Sequence, residues 1–98
     1  MYIGGGCVMR KEVSFKNHDR FVQLGITISS LRKIRGLSQE KLAEKANISR
    51  SLLSIIEAPN TANSFSLETL YDIADALDVS PADLLNASIF PDNIINNK

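Results

Sequence analysis

Four serines in this chain each stand directly before a short stretch whose apolar residues recur every three or four positions. These serines are Ser38, Ser49, Ser66 and Ser80. A serine before such a stretch can accept hydrogen bonds from amides of the first helical turn, which have no partner within the helix. The pattern is strongest at Ser80, because Pro81 follows it at the first helical position and Asp83 stands three residues after it. The serines therefore predict the starts of four short α-helices.

Another helix is predicted before these four. From Asp19 onward, Phe21, Leu24, Ile28 and Leu31 recur at helical spacing, and Gly36 is expected to end the helix in a left-handed conformation. Asn47 is expected to end the next helix in the same conformation, which asparagine tolerates in a sharp turn. The polar segment 58–64, which contains a proline, predicts a loop between the third and fourth helices.

The expected core consists of the apolar stripes of these helices. Beyond the first helix these are Leu42, Ala43, Ala46, Leu53, Ile56, Leu67, Leu70, Ile73, Ala74, Leu77, Leu84 and Leu85. The sequence thus predicts an all-α domain of five short helices over residues 18–86. Residues 1–17, with three consecutive glycines, are predicted to be a flexible extension, and residues 87–98 an asparagine-rich tail. The apolar residues of that tail serve either local packing or a dimer contact.

Composition argues against several classes of function. No apolar run is long enough to cross a membrane or to act as a signal peptide, so a cytoplasmic protein is expected. The lone Cys7 cannot form an internal disulfide, and no metal-ligand cluster accompanies it. His18 has no nucleophile or second base near it in the sequence, so no catalytic site is predicted. We expect neither a metal nor a cofactor.

Charge is distributed unevenly along a chain whose formal net charge is zero. Residues 27–59 carry a surplus of three positive charges, whereas residues 60–98 carry a deficit of five. A charged helix face is often only a solvated surface, but a basic middle segment also suits a polyanionic partner such as nucleic acid.

The segment 38–57 predicts two short helices joined by a tight turn, an arrangement that can present its second helix to the DNA major groove. Ala43 is small where the two helices would cross, and Ile48 would fill the space beneath the turn. Leu53 and Ile56 would anchor the second of these helices from behind. Four residues of that helix would then face outward: Arg50, Ser51, Ser54 and Ile55.

The stretches LRKIRG, LSQEKLAEKANISRSLLSIIE and LETLYDIADALDVSPADLL together resemble the Cro/Xre-type helix-turn-helix regulators over roughly residues 24–86. The resemblance implies a lambda-repressor-like fold. It also implies that Gln39 holds a DNA phosphate, that Arg50, Ser51 and Ile55 face base edges, and that Ser54 lies beside the DNA backbone. Ser49, at the start of the same helix, completes the expected DNA-binding set. The resemblance suggests that Arg50 contacts guanine or phosphate, because its guanidinium group can bond O6 and N7 of guanine together.

The expected function is therefore sequence-specific binding of double-stranded DNA, as a homodimeric transcriptional regulator that acts as a repressor. Ile55 stands where these regulators usually have a polar or basic residue, and Leu52 stands where they often have a small polar one. This apolar pair could contact thymine methyl groups or a protein partner. An antitoxin-like or protein-interaction module of the same fold is accordingly the alternative. Glu57 is expected to have a structural role, pairing with Arg32 or Arg35.

Overall fold

The structure is a computed structural model that describes residues 13–59 and 61–88. A 3-10 turn at Phe15–Asn17 leads into five α-helices. These are α1 (His18–Ile34), α2 (Gln39–Ala46), α3 (Arg50–Glu57), α4 (Leu67–Ala76) and α5 (Pro81–Ala87). The described residues contain no β-strand, so the predicted all-α class with five helices is confirmed. Cys7, the glycine run and the apolar residues of the tail beyond Ser88 lie outside the described residues.

Each of the four serines caps its helix as predicted. The hydroxyl oxygens of Ser38, Ser49 and Ser80 accept hydrogen bonds at 3.0 Å from the amides three residues later. The hydroxyl of Ser66 does the same at 3.1 Å. A side-chain cap of this kind typically stabilises a helix by about 1 kcal/mol, so each helix start is encoded locally.

Left-handed residues end three of the helices. Gly36 has φ 74° after α1 and Asn47 has φ 58° after α2, as predicted. Asp78, after α4, has φ 61°, in a left-handed conformation that glycine adopts most readily. At the same corner the guanidinium of Arg35 donates to the carbonyl oxygen of Leu77 at 2.9 Å, which fastens the end of α1 to the end of α4.

The core lies where α2 packs against α3 and α4, and α1 packs against α3 and α5. Its buried apolar residues are Leu24, Ile28, Leu42, Ala43, Ala46, Leu53, Ile56, Leu70, Ile73, Ala74, Leu77 and Leu84. Phe21 is only partly buried, with its ring edge-to-face against Phe65 at 6.1 Å between centroids. The predicted stripes therefore supply all twelve core residues.

Two predicted core residues are on the surface instead. Leu67 is 60% exposed because it is the first residue of α4, and Phe65, two residues earlier, packs against the core in its place. Leu85 is 49% exposed because consecutive helical residues point about 100° apart. Since Leu84 points directly into the core, Leu85 cannot do so as well.

Candidate nucleic-acid interface

The turn between α2 and α3 consists of three residues, and the amides of the first two bond to the end of α2. The amide of Asn47 donates to the carbonyl oxygen of Glu44 at 3.2 Å, and the amide of Ile48 donates to that of Ala43 at 3.0 Å. These two bonds around a left-handed residue form a Schellman motif. Ile48 packs partly buried against the core, as predicted. The motif fixes the angle at which α3 leaves α2.

The helix α3 has one face in the core and one in solvent. Leu53 and Ile56 are buried on the inner face, and Leu52 packs partly buried beside them. The side chains on the outer face are all exposed, as predicted: Arg50, Ser51, Ser54 and Ile55. Ser49 is exposed at the start of the helix and serves as its cap. The predicted DNA-binding residues of α3 therefore share one accessible surface.

A glycine lets α3 approach α1 closely. A Cβ built on Gly25 would overlap the carbonyl oxygen of Ile56 and would lie 3.3 Å from its carbonyl carbon. Any larger residue would have to push α3 away from α1. This contact is not predictable from the sequence, because a single glycine within a helical pattern does not show what lies opposite it.

A buried ion pair joins the same two helices. Arg32 Nε donates to Glu57 Oε2 at 2.9 Å, and Arg32 Nη2 donates to Glu57 Oε1 at 3.0 Å. Both residues are buried, at 9% and 7% exposure. Arg32 Nη1 also donates to the carbonyl oxygen of Leu37 at 2.7 Å, just before α2. The structural role expected for Glu57 is thus confirmed with Arg32 as its partner, whereas Arg35 bonds the end of α4.

Gln39 is attached to this ion pair. Its side-chain nitrogen Nε2 donates to Glu57 Oε1 at 3.0 Å, although the two residues are 18 positions apart in the sequence. An amide nitrogen carries two hydrogens, so one remains for a ligand while the other holds the side chain in place. Sequence analysis placed Gln39 at the start of α2 but gave no sign of this contact with the end of α3.

The far end of α3 is held by the loop that follows it. The carbonyl oxygen of Ile55 accepts hydrogen bonds from the amide of Ala58 and from Asn63 Nδ2, both at 3.3 Å. Asn63 Nδ2 also lies 3.1 Å from Thr61 Oγ1. The outer face of α3 is therefore fixed at both ends, by Ser49 at its start and by this loop at its end.

The electrostatics of α2 and α3 suit an anion. Within the described residues α3 exposes no acidic side chain, because its only carboxylate, Glu57, is buried against Arg32. Arg50 is exposed at its first position, and α2 exposes Lys41 and Lys45 alongside Glu40 and Glu44, with Lys41 paired to Glu44. The amino ends of both helices add partial positive charge. This surface can hold phosphate oxygens beside an outward row of side chains.

Comparison with known proteins agrees with this geometry. Residues 27–88 match the family model of the Cro/C1-type helix-turn-helix DNA-binding domain. The chain belongs to this family. Cro/C1-type proteins are DNA-binding transcriptional regulators rather than a class of enzyme, so the resemblance seen in the sequence is confirmed.

Individual relatives of this Cro/C1-type chain include regulators of known structure. It is 41% identical over 63 residues to the helix-turn-helix transcriptional regulator SinR of Bacillus licheniformis, a match that covers 64% of this chain and 56% of SinR. The chain therefore spans a little over half the length of that relative. The crystal structure of SinR in complex with DNA is similar with 40% identity and a TM-score of 0.58, covering 63% of this chain and 97% of that one.

The restriction-modification controller protein C.AhdI of Aeromonas hydrophila is also similar. It is 34% identical with a TM-score of 0.60, and the match covers 65% of this chain and 94% of C.AhdI.

Within the described residues of the Cro/C1-type chain, no helix combines the length and apolarity needed to cross a membrane.

Proposed function

We propose that this protein binds double-stranded DNA sequence-specifically as a homodimer and represses transcription by occupying a promoter. The observation that carries the proposal is the two-sided α3, whose inner face is buried and whose outer face presents Arg50, Ser51, Ser54 and Ile55 without an acidic neighbour on that helix. A similar protein, SinR, has been crystallised in complex with DNA. A cytoplasmic location follows from this role.

In the proposed mechanism, α2 sets the position of the protein on the DNA backbone. The free hydrogen of the Gln39 amide donates to a phosphate oxygen, with the side chain held in place by Glu57. Lys41, Lys45 and the amides at the start of α2 add further phosphate contacts. These contacts fix the register of α3 without reading sequence, because every nucleotide presents the same phosphate.

The helix α3 then reads bases in the major groove. Arg50, at its first position, forks onto O6 and N7 of a guanine. Ser51 contacts a base edge, and Ser49 and Ser54 lie beside the backbone that borders the groove. A side chain at the amino end of a recognition helix reaches deepest into the groove, so Arg50 contributes the strongest single preference.

A homodimer follows from the size of the domain. A single module of this size buries about 600–1,000 Å² of its own surface on DNA, which provides little sequence specificity. Two copies on half-sites about one helical turn apart double the number of bases read. We propose that the described helices of each copy serve one half-site.

Selection of bound sequences from random DNA duplexes tests this proposal. The recovered sites should form an inverted repeat whose halves are about one helical turn apart, 10–10.5 base pairs. In vitro transcription from a promoter that carries the selected site should then fall as protein is added. Random recovered sequences, or sites without the repeat, would count against the proposal, as would transcription that is unchanged at saturating protein.

The exposed Ile55 favours one alternative, an antitoxin-like or protein-interaction module with weak affinity for DNA. An aliphatic side chain on the outer face of α3 could pack against the apolar surface of a protein partner. Binding that depends steeply on salt and on Arg50 supports DNA as the ligand, whereas selection that recovers no preferred sequence supports the alternative.

A further inference from the structure

Ile55 is the one exposed side chain on the outer face of α3 that has no hydrogen-bonding group. Its side chain is 38% exposed, whereas the other apolar residues of α3 are buried or partly buried on the inner face. Ser51 stands one helical turn before it on the same side of the helix, while Arg50 and Ser54 share the other side. The outer face thus has a polar side and, next to Ser51, a single apolar side chain, that of Ile55, which we call the apolar point.

The structure holds this apolar point in a defined place. The carbonyl oxygen of Ile55 accepts from Asn63 Nδ2 and from the amide of Ala58, so the last turn of α3 does not open at this residue. The side chain is also branched at Cβ, which restricts its χ1 rotamers on a helix. A fixed, branched aliphatic group is suited to contact one small apolar partner.

We propose that Ile55 recognises the C5 methyl group of a thymine in each half-site, on the order of two base pairs from the guanine contacted by Arg50. This inference rests on the proposed function. The thymine methyl is the apolar group that a base edge presents in the major groove. Arg50 and Ile55 are five positions apart, which corresponds to about 7.5 Å of rise along the helix. Base pairs are stacked about 3.4 Å apart, so a helix lying along the groove covers about two base pairs over this distance.

A protein occupant of this point is disfavoured by its surroundings. Ile55 shares the exposed surface of α3 with serines and an arginine, and the apolar residue one turn before it, Leu52, packs partly buried against the core. The other large exposed apolar side chains of the described residues lie outside α2 and α3: Phe15, Ile26, Ile34, Leu67, Tyr71 and Leu85. A stable protein interface needs about 800 Å² from each partner, far more than one isoleucine supplies.

Replacing thymine by uracil in the selected duplex tests the inference, because uracil lacks only the methyl group. At one position of a single half-site, this replacement should weaken binding by wild-type protein about fourfold, the value of one buried methylene-sized group, and replacement in both half-sites should weaken it about 15-fold. Ile55→Ala should bind the thymine and uracil duplexes equally, and Ile55→Val should keep most of the preference. Ile34→Ala, which removes an exposed isoleucine from α1, should keep the full wild-type ratio.

The outcomes separate this inference from the proposed function. If every uracil duplex binds like its thymine parent while Arg50→Ala still loses a guanine preference, the inference is overturned and the proposed function stands. If Ile55→Ala keeps the wild-type thymine-to-uracil ratio, another residue contacts the methyl group and the inference is likewise wrong. If the protein selects no sequence at all, both fall, and Ile55 belongs to a protein contact.

Discussion

Gly25 on α1 faces the backbone carbonyl oxygen of Ile56 on α3, at a separation that leaves no room for a Cβ. The helix proposed to read DNA is therefore positioned by direct backbone contact with α1, as well as by its buried side chains. Because Ile56 directly follows Ile55, a displacement at this contact would also shift the outer face.

Gly25→Ala should lower the free energy of unfolding by about 1–3 kcal/mol, as overpacking in a core does, and should also weaken binding to the selected DNA. Urea denaturation and fluorescence anisotropy would measure the two effects. Gly36→Ala is the control, because its Cβ would have no neighbour within 4 Å and only the positive φ of 74° opposes it. It should cost about 1–2 kcal/mol of stability and leave the selected sequence unchanged. A Gly25→Ala protein as stable as wild type would contradict the close packing.

Glu57→Gln should lower the free energy of unfolding by about 3–5 kcal/mol, because it leaves the charge of Arg32 buried without its counter-charge. Replacing both partners, as Arg32→Met with Glu57→Leu, should recover part of that loss, since apolar residues of similar volume need no counter-charge, whereas the Leu37 carbonyl oxygen and the Gln39 amide lose their partners. Glu44→Gln provides the matched control. Its pair with Lys41 is largely exposed, so the change should be below about 0.5 kcal/mol. A double variant no more stable than Glu57→Gln would contradict the assignment of the loss to the unpaired charge of Arg32.

Arg50→Ala and Gln39→Ala should weaken DNA binding in different ways. Arg50→Ala should cost about 1–3 kcal/mol of binding free energy and relax the preference at one position of each half-site. Gln39→Ala should weaken all sequences about equally, because a phosphate contact carries no sequence information. Selection repeated with each variant, together with binding titrations, would separate the two patterns.

Circular dichroism is the control for both variants, and more is expected of Gln39→Ala than of Arg50→Ala. Gln39 donates to Glu57, so its loss should also lower the free energy of unfolding by about 1 kcal/mol. Arg50 has no side-chain hydrogen bond within the described residues, so Arg50→Ala should unfold like wild type. A folded Arg50→Ala protein that keeps full affinity and the same selected site would mean that α3 does not read DNA through its amino end.

DNA binding should weaken steeply as salt rises, even though the formal net charge of the chain is zero. Each neutralised phosphate should contribute a slope of about −0.9 to the logarithm of affinity against the logarithm of salt concentration. Titrations at a series of potassium chloride concentrations would give the slope. Lys45→Ala should reduce the magnitude of the slope by up to about 0.9, the contribution of one phosphate contact. A flat response between low and physiological salt would favour a protein partner instead.

Local signals made most of the fold predictable. The serine caps and the left-handed residues depend on neighbours within one turn, so the sequence around Ser38 or Asn47 contains what is needed to place them. The core residues follow from helical spacing alone. The same dependence on spacing explains the wrong prediction for Leu67 and Leu85. Spacing shows which residues share a face of a helix, but not which of them lie beyond the contact with neighbouring helices.

Contacts between distant segments were predictable only in part. A structural pairing of Glu57 with an arginine was expected, but the choice between Arg32 and Arg35 depends on how α1 crosses α3 and α4. The bond from Gln39 to Glu57 and the contact of Gly25 with Ile56 had no local signal. The DNA-binding roles of Gln39, Ser49, Arg50, Ser51, Ser54 and Ile55 stay predictions that the selection experiments would test.

The outer face of α3 contributes little to holding the molecule together. Within the described part of the chain its side chains make no hydrogen bonds, whereas its cap, its inner face and the Asn63 contact fix the helix in place. The residues proposed to recognise DNA are therefore different from the residues that fold this eight-residue helix. Under the proposed function, exchanging Arg50, Ser51, Ser54 and Ile55 as a set for those of another regulator should give the same scaffold a new operator.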